Sequence, residues 1–537
     1  MDRTRVRVIG AGLAGAEAAW QCAQRGIEVE LCEMRPVRST PAHQSADFAE
    51  LVCSNSLKSD SENTAPWLLK EEMRRAGSML LEVARECAVP AGHALAVDRA
   101  VFAARVTETI AGEPRITVRR EEIARIDEDD PEWMTIIATG PLTSDSLAAE
   151  IGRLCQGNAL LQSEPRTAAK DAEKGLSTAG GAYGQGEGAN RDLAEKEKRE
   201  REKKQEQEQN QDRRQNQNQE QSQNQPQNLS QNQTQNQEQR LPTGVSAPPH
   251  ALYFYDSISP IVEADSIDMA KVYLAARYGK GTADYINCPM SKEEYDRFYD
   301  ALISAEAVEE REWEKLNYFE SCLPIEEIAR RGRDTLRFGP MKPVGLRDPR
   351  TERPPYAVVQ LRQENLRADS YNLVGFQNHL KFGDQARVLR LIPGLEQARF
   401  LRYGQIHRNT YINSPTLLRD TLQMKAHARV LFAGQICGVE GYVESIATGL
   451  LAGVQASALA AGVTAEPPPR ASAFGSLTHY VTQASPKNFQ PANITFDLLP
   501  ALERKVRDRK ERHAQQCARA LRAFEGWWER QSLVLSR

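Results

Sequence analysis

Cysteine is scarce in this chain: nine residues in 537, an odd number, with no CxxC doublet and no run at zinc-ligand spacing. A disulfide framework and a structural zinc site are thereby excluded, and a reducing compartment is expected. Long apolar runs are missing too. None reaches the eighteen or so residues of a bilayer-spanning helix, and the N-terminus leads into a strand and a glycine loop instead of a basic-then-apolar leader, so a soluble, cytoplasmic protein is expected. Net charge is small, -4 with a sequence pI near 6.2, and lacks the overall basic footprint of a nucleic-acid binder.

That charge is unevenly spread. From Arg330 to Arg429 there are 19 Lys or Arg against 8 Asp or Glu, and from Arg470 to Arg537 12 against 6. Both surpluses suit contact with phosphates, although a basic helix face is as readily a solvated one. Between Arg191 and Arg240 the composition breaks: alternating Glu, Lys and Arg, with room for a short helix at Glu195 to Lys204, give way to a tract from Gln205 to Gln239 holding 16 Gln and seven Asn. Its apolar surface is too small to offset its ordering entropy, so a disordered insert is expected. Ten acidic and ten basic residues cancel between Arg191 and Arg240, which excludes a polyanion-binding tail.

The first motif stands at the N-terminus. Val6 to Ile9 is a β-branched run, Gly10-Ala11-Gly12-Leu13-Ala14-Gly15 follows directly, Ala16 to Gln24 reads as an Ala-rich helix, and Ile27 to Cys32 completes a βαβ opening. In GxGxxG the first glycine makes the tight turn, the second admits backbone amides to a pyrophosphate, and the third allows close helix packing. The helix N-terminus adds partial positive charge. Glu33 ends the second strand 18 residues after Gly15, where a carboxylate accepts hydrogen bonds from a ribose. Two later strand ends favour FAD over NAD: Ile136 to Ala138 turns at Thr139 and Gly140, and VLFAGQICGVEGY from Val430 presents Gly434, Gln435, Gly441 and Tyr442 before a helix from Ser445 to Ala461.

The expected fold is therefore α/β: a Rossmann-type FAD-binding domain with a smaller α/β insertion domain and a disordered Gln-rich insert. The first part of the FAD domain is placed at 1–154, the linker at 155–250, the insertion at 251–335 with a charged helical stretch from Lys292 to Arg331, the second part at 336–465, and a basic helical extension at 466–537. The strand-like runs Tyr356 to Leu361, Tyr371 to Val374 and Val430 to Ala433 are read as the return to the first domain. A basic amphipathic helix is expected from Leu499 to Phe524.

Two cysteines stand in polar surroundings, Cys53 in the serine-rich ELVCSNSLKS and Cys288 before Pro289 in INCPMSKEEY, where Lys58 and Lys292 are near enough in sequence to favour a thiolate. The remaining seven, Cys22, Cys32, Cys87, Cys155, Cys322, Cys437 and Cys517, read as small buried hydrophobes. These two blocks, with GAGLAG at Gly10, CEMRP at Cys32, FGPMKPVGL at Phe338, VGFQNHLKFGDQ at Val374, YGQIHRNTYINSP at Tyr403, AGQICGVEGYVES at Ala433 and SPKNFQPANITFDLLP at Ser485, are spread over nearly the whole chain apart from the Gln-rich insert and the last dozen residues.

Together they resemble the folate- and FAD-dependent tRNA uracil-5-methyltransferases of the TrmFO family. The resemblance implies FAD as cofactor, methylenetetrahydrofolate as methyl donor, NADH or NADPH as reductant, and C5 of the T-loop uridine of tRNA as acceptor. It also carries the family's two active-site cysteines onto Cys53 and Cys288. We expect Cys288 to attack uracil C6 and Cys53 to serve on the flavin side, in proton transfer or in protecting the adduct; the residues alone do not order them. His407, Arg408 and Asn409 of the YGQIHRNT block are candidates for the flavin or substrate pocket, or equally for loop anchors. The rival readings are a related flavoprotein that installs carboxymethylaminomethyl groups on wobble uridine, and a non-enzymatic tRNA-binding flavoprotein.

Overall fold

The structure is a computed structural model that describes residues 4–40, 42–161, 251–279, 282–308 and 323–535. The Gln-rich tract, the helix expected at Glu195 to Lys204 and Cys322 lie outside these residues.

Five short strands form a parallel sheet in the order Val430–Phe432, Trp133–Ile137, Arg5–Ile9, Val29–Cys32, Ile116–Arg119. Val6, Val8, Leu31, Ile136 and Leu431 are all fully buried, as strands covered on both faces must be. The chain adds strands outward from Arg5–Ile9, first to one side and then to the other, so the strand order reverses at the first strand. Open α/β sheets bind their ligands at that reversal, off the carboxyl ends of the strands. The Gly10–Gly15 turn stands there.

Helix Leu13–Ala23 follows the turn, and helix Tyr442–Ala460 crosses it closely because two positions lack side chains. A Cβ on Gly449 would stand 2.2 Å from the Ala14 carbonyl oxygen, and one on Gly453 2.6 Å from that of Ala18. At 19 residues the second helix is long and apolar enough to cross a membrane, which corrects the expectation that no run reaches that length. Glu444 and its Ser, Thr and Gln residues break the uninterrupted apolar run, while the average stays high. Its apolar stretch is 83% buried, packed in the core of this protein.

A second, antiparallel sheet runs in the order Tyr273–Leu274, Tyr285–Met290, Ala357–Gln363, Ser370–Leu373, Ile261–Glu263, Phe400–Arg402. Helix Lys292–Ile303, opened by a capping box between Ser291 and Glu294, adds Tyr295, Phe298 and Leu302 to its core. This arrangement corrects the expected division at 335/336. The runs at Tyr356 to Leu361 and Tyr371 to Val374 are central strands of the second sheet, and of the three expected to return only Val430 to Ala433 joins the parallel one. Local alternation identifies a strand but not its partner. The antiparallel ribbon of Ala251–Ser257 with Ile406–Ile412 stands where the chain enters and leaves this second sheet.

The last helix also departs from expectation, running over Arg509–Leu535 rather than from Leu499. The Asp508 carboxylate accepts from the Glu511 amide at 2.8 Å, an N-cap that sets the start. Cys517, Ala520, Phe524 and Trp527 are buried in the first core, so one face of this basic helix is structural.

Candidate active site

The three glycine-bearing strand ends converge on one groove. One end is walled by Ile9, Gly10, Gly12, Glu33, Arg35 and Thr139. The other is walled by Cys53, Lys58, Asn409, Gly434, Gly441 and Tyr442, among others. Gly12, His43, Thr139 and Leu142 line both, which makes the ends continuous. The wider end leaves about 1230 Å³ of space between its walls, counting the part open to solvent.

The residues at the narrow end fit a dinucleotide. A Cβ on Gly12 would meet nothing within 4 Å, so the turn is open on the side where a pyrophosphate belongs. Gly12 is also the N-cap of helix Leu13–Ala23, and no side chain caps the first amides of that helix. Those donors are left for an anion. Gly10, at φ +97°, turns where a Cβ would be 2.7 Å from the Ala138 carbonyl oxygen, and a Cβ on Gly15 would be 1.7 Å from that of Gly10. Ala11 is buried and donates its amide to Glu33 Oε2 at 2.9 Å. Ala11 and Gly15 therefore shape the turn without lining the groove.

Glu33 is held as an acceptor. Burial alone would push its carboxyl up, but the Arg35 guanidinium at 2.9 Å and the amides of Arg35 and Ala11 outweigh burial and hold it below the ordinary carboxylate range. A carboxylate has about four lone-pair positions, so these three donors leave capacity toward the groove for a ribose hydroxyl.

At the wider end Asn409 supplies an independent sign of a missing partner. It is 3% exposed, it lines the groove, and its side-chain amide nitrogen has no hydrogen-bond partner. A buried donor left in that state costs ~1–3 kcal/mol, and a flavin ring carries several acceptors. Asn409→Leu is expected to raise the melting temperature of the apoprotein and to weaken FAD binding about tenfold in a fluorescence titration. The side chains of His407 and Arg408 lie outside the described residues.

Cys53 stands in a loop whose backbone is clamped from several sides. The Tyr442 hydroxyl oxygen accepts from the amides of Cys53 at 2.8 Å and Ser54 at 3.1 Å. Burial pushes the Tyr442 phenol up, so this anchor stays neutral. Arg99 donates to the Leu51 carbonyl at 3.0 Å and Arg402 to that of Val52 at 3.1 Å, and both guanidinium groups interact electrostatically with Cys53. Arg362, on the second sheet, donates to Ser54 Oγ at 2.8 Å and Asn55 Oδ1 at 2.9 Å. Lys58 is held at φ +60° with its ammonium 2.7 Å from Glu444 and 2.7 Å from Asn493, so it pins the loop to the start of helix Tyr442–Ala460. Arg99, Arg362, Arg402 and His43 carry no mark in the sequence: Arg362 and Arg402 reach the loop across 307 and 350 positions and Arg99 across 48, and no motif surrounds any of the four. Arg362 and Arg402 are visible there only within the basic surplus.

Cys288 is not brought to the groove. Strand Tyr285–Met290 alternates, and Ile286, Cys288 and Met290 face the core of the second sheet, where Cys288 is fully buried. Burial pushes its thiol up, away from the reactive thiolate. Lys292 bonds Asp296 at 2.6 Å on its own helix. The expected pairing of Cys53 with Cys288 in one pocket is thus corrected: among the described residues Cys53 is the one cysteine that is not buried. Iodoacetamide is expected to alkylate Cys53 in the folded protein and to leave Cys288 unmodified until the chain is denatured, as read by peptide mass mapping.

Thr139, Gly140, Gly434, Gln435, Gly441 and Tyr442 all line the wider end, with Leu13 and Ala14 beside them. Helix Tyr442–Ala460 likewise begins at an N-cap, Gly441 at φ +110°, without a side-chain cap.

Known proteins are similar to this chain in sequence, and others in fold. A protein-family model described as glucose inhibited division protein A matches residues 5–247 and 231–464. The methylenetetrahydrofolate–tRNA-(uracil-5-)-methyltransferase TrmFO of Koribacter versatilis is 61% identical over 97% of this chain and 98% of its own. The TrmFO proteins of Solibacter usitatus and Bacillus subtilis are 52% and 46% identical, over 97% and 98% of this chain and 98% and 99% of theirs. Among solved structures, Aquifex aeolicus GidA aligns with a TM-score of 0.59 at 13% identity, covering all of this chain and 76% of that one, which shows the shared fold. At such identities over nearly its full length, the chain belongs to the TrmFO family of methylenetetrahydrofolate–tRNA-(uracil-5-)-methyltransferases.

Proposed function

We propose that this chain methylates C5 of the T-loop uridine of tRNA in the cytoplasm, taking the carbon from methylenetetrahydrofolate with FAD in the groove and NADH or NADPH as reductant. The observation that carries the reading is the placement of Cys53, the accessible thiol, on the wall of a groove whose other end is built for a dinucleotide. Gly12 and the first amides of helix Leu13–Ala23 would hold the pyrophosphate and Glu33 the ribose. Thr139, Gly140, Gly434, Gln435, Gly441, Tyr442 and Asn409 would surround the ring. Bound there, FAD would supply the redox chemistry and the relay for the folate-derived carbon.

What the chain itself contributes follows from uracil. C5 is a weak nucleophile, and a thiolate adding at C6 forms an S–C6 bond while the C5=C6 electron pair moves toward C5 and O4 as an enolate. The enolate can then take an electrophilic carbon. Loss of the C5 proton and of the carbon's carrier leaves an exocyclic methylene on C5, and a hydride equivalent drawn ultimately from NADH or NADPH makes it a methyl as the thiolate departs and the C5=C6 bond returns. Cys53 would make the addition in place of Cys288, with Arg99 and Arg402 beside it to favour negative sulfur. The Tyr442 anchor on its own amide holds the sulfur in place while bonds change.

The test is incubation of FAD-loaded protein with methylene-labelled methylenetetrahydrofolate, NADPH and unmodified tRNA, followed by nucleotide mapping. Label at C5 of the T-loop uridine supports the reading. Label at the wobble uridine, or none despite bound flavin and tRNA, would replace it with one of the two rivals.

A further inference from the structure

The second sheet carries an exposed aromatic side chain in a backbone conformation that bulky residues avoid. Tyr278 sits in the left-handed region, φ 60° and ψ 19°, and is 60% exposed. Neither condition is favourable by itself, yet the surrounding structure enforces both. The Tyr278 amide donates to the Gly345 carbonyl at 2.7 Å. Its ring lies directly against Gly345, where a Cβ would be 2.8 to 2.9 Å from three ring atoms. Arg277 locks the same loop, donating to the carbonyls of Lys342 at 2.7 Å and Val344 at 2.9 Å and to Gln360 Oε1 at 2.8 Å. A rigid mount for a solvent-facing ring is the result.

The charge around this mount is unbalanced. Arg337 and Arg350 are neutralised by Asp334 and Asp348. Lys342, which opens the loop, Arg347, which lines the shallow cavity beside Tyr278, and Arg353, next to the cavity-lining Pro354, are exposed, and among the described residues no carboxylate pairs with them. Glu352 is the exposed acid nearest in sequence. An aromatic ring with a free face and unpaired cations around it is the chemistry that holds single-stranded nucleic acid: the ring takes a base, the cations take phosphates.

Position connects this face to the reaction. Arg277 is tied to Gln360, while Arg362, two residues further along the same strand and on the same face, holds Ser54 and Asn55 beside Cys53. Two residues of strand span roughly 7 Å. We propose that Tyr278 stacks on an unpaired base of the tRNA while Lys342, Arg347 and Arg353 contact neighbouring phosphates, so that the second sheet presents the RNA to the Cys53 loop. The inference rests on tRNA being the substrate and adds the surface that receives it.

The test is tRNA binding by the FAD-loaded full chain at several salt concentrations, with flavin absorbance and melting temperature confirming the fold of each variant. Tyr278→Ala should weaken binding about tenfold with the salt slope unchanged, and Tyr278→Phe should restore it. Tyr278→Gly relieves the backbone strain and should bind as poorly as Tyr278→Ala. Arg347→Gln with Arg353→Gln should weaken binding and flatten the salt dependence by about 0.7 for each phosphate that the protein no longer neutralises. Tyr278→Ala binding tRNA like the native protein would overturn the proposal, as would a raised KM for folate with tRNA affinity intact, which would make this a folate subsite. Native protein that binds no tRNA at any salt would instead remove the substrate reading beneath it.

Discussion

Cys53→Ala is expected to lower methyl transfer by at least ~10³-fold, the order of effect seen when a covalent nucleophile is removed, while FAD remains bound. The substitution isolates the sulfur because the loop around it is held by its backbone. Tyr442 accepts from the amides of Cys53 and Ser54, and Arg99 and Arg402 take the carbonyls of Leu51 and Val52, so none of these bonds involves Sγ. Fold and flavin site should survive intact. Single-turnover incorporation of label, read beside the flavin absorption band and the melting temperature, checks the expectation. Activity within about tenfold of native would show that another group attacks the base.

Gly12→Val should produce folded protein that has lost FAD, with affinity reduced on the order of 10³-fold, as expected when a side chain occupies the ligand's own space and removes several kcal/mol of contact. Gly12 has φ -72°, which any residue adopts, and a Cβ there meets no protein atom within 4 Å. The apoprotein therefore has no reason to distort. Only a ligand lying against the turn would be displaced, and equilibrium titration with FAD measures that. Gly15→Val makes a poor comparison, because its Cβ would overlap the Gly10 carbonyl oxygen at 1.7 Å and damage the turn whether or not a cofactor binds.

The features legible in the sequence are those whose chemistry is local. The turn from Gly10 to Gly15 declares itself because strand, glycines, helix and Glu33 all fall within one βαβ unit, and the structure places Glu33 against the turn through the Ala11 amide. The second sheet is legible as strands but not as a sheet, since the pairing of Tyr285–Met290 with Ala357–Gln363 joins segments that the intervening chain separates widely. Cys288 illustrates a signal present but misread. The alternation Ile286, Cys288, Met290 marks a buried strand face, and giving weight to the polar neighbours of Cys288 hides it. Pro289 has its place within the strand itself. The clamps on Cys53 are different in kind: Arg362 and Arg402 reach the loop from the second sheet and Arg99 from the start of a helix, and no local pattern could have chosen them from the other cations. The start of the last helix is a smaller case, set by the Asp508 cap rather than by the amphipathic period upstream of it.

Central to the proposed chemistry is a single groove in which a dinucleotide extends from Glu33 to Cys53. The most direct measurement is the rate at which iodoacetamide alkylates Cys53 with and without FAD. A flavin ring seated on that wall should slow the reaction by about an order of magnitude, since a ligand enclosed in its pocket covers the walls it touches, and FAD should make no difference in Gly12→Val. Equal alkylation rates in native protein with and without stoichiometrically bound FAD would contradict this arrangement, for they would place the ring away from Cys53.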